Sequence, residues 1–253
     1  MPKTAWRELA SRATTPLIYV AIVAVWEFSA RFFKIPSWIL PAPSEIVSSA
    51  SSWGPELVYN SFVTLSETVI GFILGLVLSL PFAVVIAFTT TARRVLYPIL
   101  LALQSIPKIA LAPLVILWLG IGEWPKIVIV VLVCFFPILV NVIAGFEAVP
   151  RSMLDLMHSL RASELTTFRR LRVPIATPYL FTGCKIAITL AVIGAVIGEF
   201  VAAQEGLGYM ILMSTSQAKT PLAFASIVSL TVISVILFYA IEVVEKRFVT
   251  WSP

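Results

Sequence analysis

Ile127 to Phe146 reads IVIVVLVCFFPILVNVIAGF, twenty residues without a charge. A helix needs about 20 predominantly apolar residues to cross the hydrocarbon core of a bilayer. This run has no polar face to turn toward water, so it reads as a membrane span. The same pattern recurs on both sides of it. Upstream, Phe62 to Phe88 forms another span, free of charge from Thr68 to Ala92 and closed by Arg93 and Arg94. Val95 to Leu119 is a third, interrupted by Pro98, Pro107, Lys108 and Pro113. Such interruptions are tolerated where the backbone faces protein or a wet cavity rather than lipid, so this span is expected to be kinked or partly unwound. Pro16 to Phe33 precedes them, and Ile175 to Val201 and Leu222 to Val244 follow. The count is six spans in an all-α membrane protein.

Composition agrees with that count. Of 253 residues, 59% are hydrophobic and 12% charged, against about 25% charged in an average soluble domain. Mean hydropathy is +0.99. A soluble fold needs a polar exterior, so a soluble enzyme, a disordered tail and a disulfide-stapled secreted domain are all excluded. The two cysteines, Cys134 and Cys184, fall inside apolar runs and read as small buried hydrophobes. One histidine, His158, cannot build a multi-histidine metal site. The short basic N-terminus and the apolar stretch after it lack a convincing cleavage site, and read as a retained first span.

The connections are mostly short. Ile35 to Tyr59, broken by Pro36, Pro41, Pro43 and Pro55, is expected to be a loop with a surface helix whose N-cap is Ser44. Gly120 to Pro125 reads as a tight turn, and a short loop with Gly206 and Gly208 joins the last two spans. The expected organisation is a cytoplasmic N-terminus (1–15), a single transmembrane domain (16–248) with a cytoplasmic loop at 147–173, and a cytoplasmic tail (249–253). With the N-terminus inside, the cytoplasmic side carries Lys3, Arg7, Arg12, Arg93, Arg94, Arg151, Arg161, Arg169, Arg170, Arg172, Lys246 and Arg247, twelve in all. The opposite side carries Arg31, Lys34, Lys126 and Lys219, only four. That asymmetry follows the positive-inside rule, and the net charge of +5 reports loops rather than nucleic-acid binding. No inverted repeat is visible, which tells against an inverted-repeat transporter.

The longest polar segment is PRSMLDLMHSLRASELTTFRRLRVP, Pro150 to Pro174. Met153, Leu154, Leu156, Met157 and Leu160 fall at helical spacing, and Leu165, Phe168 and Leu171 form a second apolar stripe among basic residues. Arg161-Ala162-Ser163 separates the two, with Ser163 as N-cap of the second helix and Glu164 in its first turn. Two readings stand side by side. The pair of amphipathic helices rests on the membrane surface or on the chain's own spans, or the first helix docks into a groove of a soluble partner.

This segment resembles the cytoplasmic loop of ABC-type importer permeases, the membrane subunits of ATP-driven uptake systems. Their motif runs EAA, three residues, Gly, nine residues, Ile, one residue, Leu-Pro. Here the frame is held by Asp155-Leu156-Met157, Arg161, Leu171 and Val173-Pro174, with the spacing kept and several identities changed. Arg161 stands where the family has Gly, at a position suited to a left-handed bend. Ser159-Leu160, Ala162-Ser163, Pro178-Tyr179, Gly198-Glu199-Phe200, Gly206-Leu207-Gly208-Tyr209, Ile106-Pro107-Lys108, Ala112-Pro113-Leu114, Trp118-Leu119-Gly120 and Phe135-Phe136-Pro137 are similar to one permease branch. That branch serves nitrate, taurine, alkanesulfonates, thiamine-pyrimidine precursors and riboflavin. The resemblance implies a type I importer fold in the inner membrane, with two permease copies forming a homodimer around a central pathway. It also implies two ATPase subunits on the cytoplasmic face and a separate extracytoplasmic substrate-binding protein. Asp155, Leu156, Met157, His158, Ser159, Leu160, Arg161, Ala162 and Ser163 would form the coupling helix and its bend. This chain would bind no cofactor, with ATP and magnesium held by the partner ATPases. Absence of a GxxxxGK[ST] phosphate loop agrees. A pyrimidine-type vitamin precursor or riboflavin is the expected substrate, and a sulfonate, taurine or nitrate the alternative.

Polar residues at membrane depth are the remaining candidates, since each charge there costs about 2.5–3.5 kcal/mol or more. Lys108 either faces the pathway or pairs structurally with a Glu. Glu199 is either a gate residue or an interfacial carboxylate, and Glu67 and Glu27 are expected at the outer interface. Trp118 either stacks on a flat substrate ring or anchors packing. Gly183, Ala187, Gly194, Ala195 and Gly198 form a close-packing face for a dimer, a pathway or the chain's own helices. An ion-coupled secondary transporter has only Lys108, Glu199 and Glu67 to offer as an ion route. A membrane enzyme is disfavoured because no nucleophile–base or metal constellation appears.

Overall fold

The computed structural model describes residues 3–251, with side chains from Leu17 onward except that of Thr90. The calls on Lys3, Arg7 and Arg12 therefore lie outside the described side chains. Eleven α-helices and one π-helical turn are present among the described residues: α1 (Lys3–Phe32), α2 (Pro43–Ser52), α3 (Gly54–Phe88), α4 (Thr90–Gln104), α5 (Lys108–Leu119), α6 (Glu123–Glu147), α7 (Arg151–Ser159), α8 (Glu164–Thr167), the π turn (Phe168–Arg172), α9 (Val173–Ala202), α10 (Leu207–Ser216) and α11 (Thr220–Phe248). Four stretches are long and apolar enough to cross a membrane: Gly54–Phe88, Glu123–Glu147, Glu164–Ala202 and Thr220–Phe248. A fifth is the pair Thr91–Gln104 and Lys108–Leu119, bent by 95°. The expected kink in span three is thus a near-right-angle break at residues 105–107, where Pro107 supplies no backbone donor and its ring favours an extended predecessor.

The chain divides into two compact units, Met1–Val58 with Met210–Ser229 and Tyr59–Tyr209 with Leu230–Pro253. In the first, α2 is held to α1 by its N-terminus. Ala42 is the N-cap and Pro43 opens the helix, so Ser44 is not the cap expected from sequence. Instead Glu27 of α1 accepts the Ser44 N–H at 3.0 Å and its hydroxyl at 2.8 Å, and Arg31 donates to Ser44 Oγ at 2.9 Å. A carboxylate from another helix thereby satisfies a donor that a local cap would have taken.

In the second unit α6 is the central rod, and close approach sets its register. An added Cβ would meet Val130 Cβ at 2.5 Å from Gly71 and Cys134 Cβ at 3.0 Å from Gly75, so α3 runs parallel to α6. Against α9 the order reverses. Gly145 faces Ala176 Cα at 2.9 Å, Gly183 faces Ile138 Cα at 3.2 Å, Gly194 faces Val130 Cα at 3.2 Å and Gly198 faces Lys126 Cα at 3.0 Å. The small-residue face of span five is therefore packing within this chain. Val130, Cys134, Ile138, Leu139, Ala187, Ile188, Ala191 and Ala195 fill the seam. Pro137 lies inside α6, and Asn141 donates to its carbonyl at 2.8 Å.

Two further elements depart from expectation. The second amphipathic helix is not separate: Glu164 to Ala202 is one helical stretch with the π turn inside it. The expected Gly206–Gly208 loop contains a helix, α10.

Candidate functional site

The nine residues of α7 include no buried side chain. Met153, Leu156 and Leu160 are exposed by 46%, 58% and 67%, while Leu154 and Met157 are half-buried, so one edge of the apolar stripe is left uncovered by the chain. The helix ends in a defined bend. Arg161 adopts φ 50°, the left-handed region. Its N–H donates to His158 O at 2.9 Å and the Ala162 N–H to Met157 O at 3.0 Å. These two bonds make a Schellman motif with Arg161 at the position normally given to Gly. The bend that Gly would adopt freely is thus kept by Arg at a steric cost. Ser163 then caps α8, accepting the Thr166 N–H at 3.2 Å. His158 sits in the last turn of α7 and Asp155 carries the Ser159 hydroxyl on its carbonyl at 2.9 Å.

From this bend the chain enters the π turn, which closes with the Val173 N–H donating to Phe168 O. Pro174 follows directly, and a normal turn would press its ring on the carbonyl four residues back. The widened turn relieves that contact. Phe168 sits 5.4 Å from Phe88 and 5.8 Å from Phe146, ring centre to ring centre. Arg172 lies 4.4 Å over the Phe88 ring, and Arg93 pairs with Glu147 at 2.9 Å. The exposed helix α7 is therefore tied through the π turn to the ends of α3 and α6.

The membrane-depth candidates fall in different places. Lys108 opens α5 and donates from Nζ to Gln104 O at 3.0 Å, the carbonyl left unpaired where α4 stops. It also stands 5.3 Å from the Phe136 ring, and among the described residues it makes no ion pair. Trp118 is 73% exposed on α5. Glu199 is 1% exposed, enclosed by the chain's own helices. It accepts the Thr64 hydroxyl at 2.6 Å and the Gly208 N–H at 2.5 Å. Thr64 Oγ1 in turn accepts the Leu207 N–H at 2.9 Å, and Asn60 Oδ1 accepts the Gly206 N–H at 2.6 Å. Three successive N–H groups that no helical turn satisfies are thus bound at the start of α10. An added Cβ at Gly208 would fall 2.7 Å from Glu199 Oε2, which explains the glycine.

Sequence reasoning missed one pair. Glu67 is buried and ion-paired with Lys126, whose side chain is 7% exposed. The two positions lie 59 apart in sequence, the same offset as Gly71–Val130 and Gly75–Cys134. Only the α3–α6 register reveals it.

These features have counterparts in known proteins. Residues 71–250 match the family described as the binding-protein-dependent transport system inner membrane component, and the chain belongs to that family. It is a membrane-embedded transport subunit of the ABC importer class, not an enzyme. It is 36% identical over 236 residues to the formylaminopyrimidine transport permease protein ThiX of Halalkalibacterium halodurans, covering 93% of this chain and 94% of that one. To the riboflavin transport system permease protein RibX of Chloroflexus aurantiacus it is 31% identical over 244 residues, covering 94% and 89%. The fold is shared with a chain of the MetNI methionine ABC transporter in an inward-facing conformation, at TM-score 0.65 and 23% identity, over 79% of this chain and 97% of that one.

Proposed function

We propose that this permease couples to ATPase subunits through Asp155 to Ser163 and carries a pyrimidine-type vitamin precursor or riboflavin. The observation that carries the coupling reading is the exposed apolar edge of α7 and its C-cap, Met153, Leu156 and Leu160, the last two more than half exposed. Well-packed apolar anchors are what an interface groove takes up, and Arg161 and His158 stand beside them to meet acidic groups on the groove rim. Closure of the ATPases pushes α7, and the aromatic contacts of Phe168 pass the movement to α3 and α6. The subunit works as one of two copies, with both termini in the cytoplasm and a substrate-binding protein delivering from outside. ATP and magnesium belong to the ATPase partners.

The substrate reading is supported by the relatives at 36% and 31% identity, named for formylaminopyrimidine and riboflavin transport. Lys108, without a carboxylate partner among the described residues, favours an anionic sulfonate as the second reading. A relative named as a putative aliphatic sulfonates permease stands at 26% identity.

Leu160→Arg tests the coupling. The variant is expected to fold and insert, since the side chain is exposed, yet to lose co-purification with the ATPase and ATP-driven uptake into vesicles. Uptake without ATP, or complex formation indifferent to the substitution, sinks the proposal. Ligand retention by the partner binding protein decides the substrate.

A further inference from the structure

A cavity of about 710 Å³ opens within the unit Met1–Val58 with Met210–Ser229, lined in part by Arg31, Ser44, Glu45, Ser48, Trp53 and Lys219. Its volume falls in the range of about 300–1,000 Å³ common to small-molecule sites. Both cations are held by the fold rather than left to swing in solvent. Arg31 donates from Nε to Glu27 and from Nη2 to Ser44 Oγ; a guanidinium carries five donors in a rigid fork, so the remaining donors are already positioned. Lys219 Nζ stands 5.0 Å from the centre of the Trp53 ring, and its own N–H donates to Ser214 O at 2.8 Å. Between the two cations α2 brings Ser44, Ser48 and Ser52 to the cavity, four residues apart and so on one helix face. Glu45 lines it as well and spends one oxygen, Oε2, on the Ala42 N–H at 3.1 Å.

The chain itself fixes the depth of this cavity. Lys219 directly precedes Thr220, the first residue of the span Thr220–Phe248, and the Thr220 hydroxyl donates to Trp38 O at 2.9 Å. The cavity therefore lies where a span leaves the hydrocarbon, at the level of the headgroups. Trp38, Ile39 and Val47, neighbours in sequence of the lining residues Ser37 and Ser48, are exposed by 63%, 54% and 70%. An exposed Trp beside aliphatic residues is typical of interface depth.

We infer that this cavity holds the phosphoethanolamine headgroup of a membrane phospholipid, its phosphate on Arg31 and Lys219 and its ammonium on Glu45. Three observations select that occupant. Groups of both signs line the cavity, which favours a zwitterion over a simple anion that Glu45 would repel. A phosphodiester offers oxygens to a guanidinium, an ammonium and serine hydroxyls at once, and charge-assisted bonds of this kind are the strong ones. The exposed apolar residues next to the cavity give acyl chains a surface, which a soluble ligand has no use for. Such a lipid bridges α2 to the start of α11 and stabilises that joint by binding only the folded chain. The inference needs only that the chain spans a bilayer, and is independent of the coupling and substrate readings above.

The test uses the full chain, purified in detergent, stripped of lipid and titrated with dioleoylphosphatidylethanolamine. Bound lipid is counted by native mass spectrometry and the Tm is followed in parallel. Saturable binding and a rise in Tm are expected for the wild type. Lys219→Gln is expected to weaken the apparent affinity by about tenfold or more, the loss of one charge-assisted hydrogen bond, and Lys219→Arg to retain most of it. Glu45→Gln is expected to reverse the preference for phosphatidylethanolamine over phosphatidylglycerol. Ser48→Ala, at an exposed side chain, gives a smaller loss and serves if another variant folds poorly, which the Tm without lipid reveals. Affinity unchanged in Lys219→Gln and Ser48→Ala overturns the site. So does equal binding of dioleoylglycerol, which lacks the phosphate, since the apolar surface alone then holds the lipid. Equal affinity for glycerophosphoethanolamine, which lacks the acyl chains, assigns the cavity to a soluble ligand and overturns the lipid.

Discussion

α6 and α7 are separated by only Ala148 to Pro150, yet their apolar residues meet opposite fates. Along α6, Val130, Cys134, Ile138, Leu139 and Val142 are buried against α3 and α9. Along α7, Met153, Leu156 and Leu160 are exposed. Lipid covers exposed apolar residues on a span at no cost, so exposure there says little. On a short helix flanked by Arg151 and Arg161 and ending in a polar cap, the same exposure is the surface that the proposed ATPase contact would cover. The difference lies in which neighbours the backbone brings within reach, and substitutions can separate the two cases.

Breaking the α6–α9 seam is expected to have the largest effect. Gly145→Leu places a side chain where even a Cβ meets Ala176 Cα at 2.9 Å, backbone that cannot swing aside. Overpacking costs about 1–3 kcal/mol where neighbours yield and more here. The expected outcome is loss of monodisperse protein on size exclusion in detergent. Next comes Glu199→Leu, which strips acceptors from Thr64 and Gly208 in a buried site. Each unsatisfied donor costs about 1–3 kcal/mol, so a clear drop in thermal stability is expected, with Glu199→Gln retaining part of it.

A smaller effect on stability and a larger one on function is expected at the joint. Phe168→Ala removes the ring shared with Phe88 and Phe146. The complex with the ATPase should form, and ATP hydrolysis should continue while vesicle uptake falls; uptake in step with hydrolysis would refute the transmitting role. Least of all, Arg161→Gly frees a residue at φ 50° from a penalty of about 1–2 kcal/mol. It should raise thermal stability slightly and leave complex formation intact. A fall in stability would mean that the Arg161 side chain contributes more than its backbone costs.

Much of this architecture was legible in the residues. Long apolar runs located the four spans and the bent pair found among the described residues, prolines marked the break before Lys108, and Ser163 was readable as a cap from its position before Glu164. The bend at Arg161 was readable from family spacing, although the family glycine is absent. What was not legible shares a physical cause. Ser44 looked like a cap because local sequence says nothing of Glu27 reaching across from α1. Glu67 and Glu199 each lie near a span end, and only packing shows that Lys126 and the start of α10 enclose them. The helix α10 was masked by the glycines that begin it.

The sequence by itself determined solvent and class: a bilayer demands long apolar helices, and the spacing around Asp155 to Pro174, together with the motifs flanking it, resembles one family of transport subunits. Tertiary structure alone decided which polar groups satisfy one another and which surface is left without a partner. Both depend on helix register, and register is set by side-chain fit between segments remote in the chain. Glycines at 71, 75, 145, 183, 194 and 198 bring backbones into contact, but no single helix reveals which neighbour fills the space they leave.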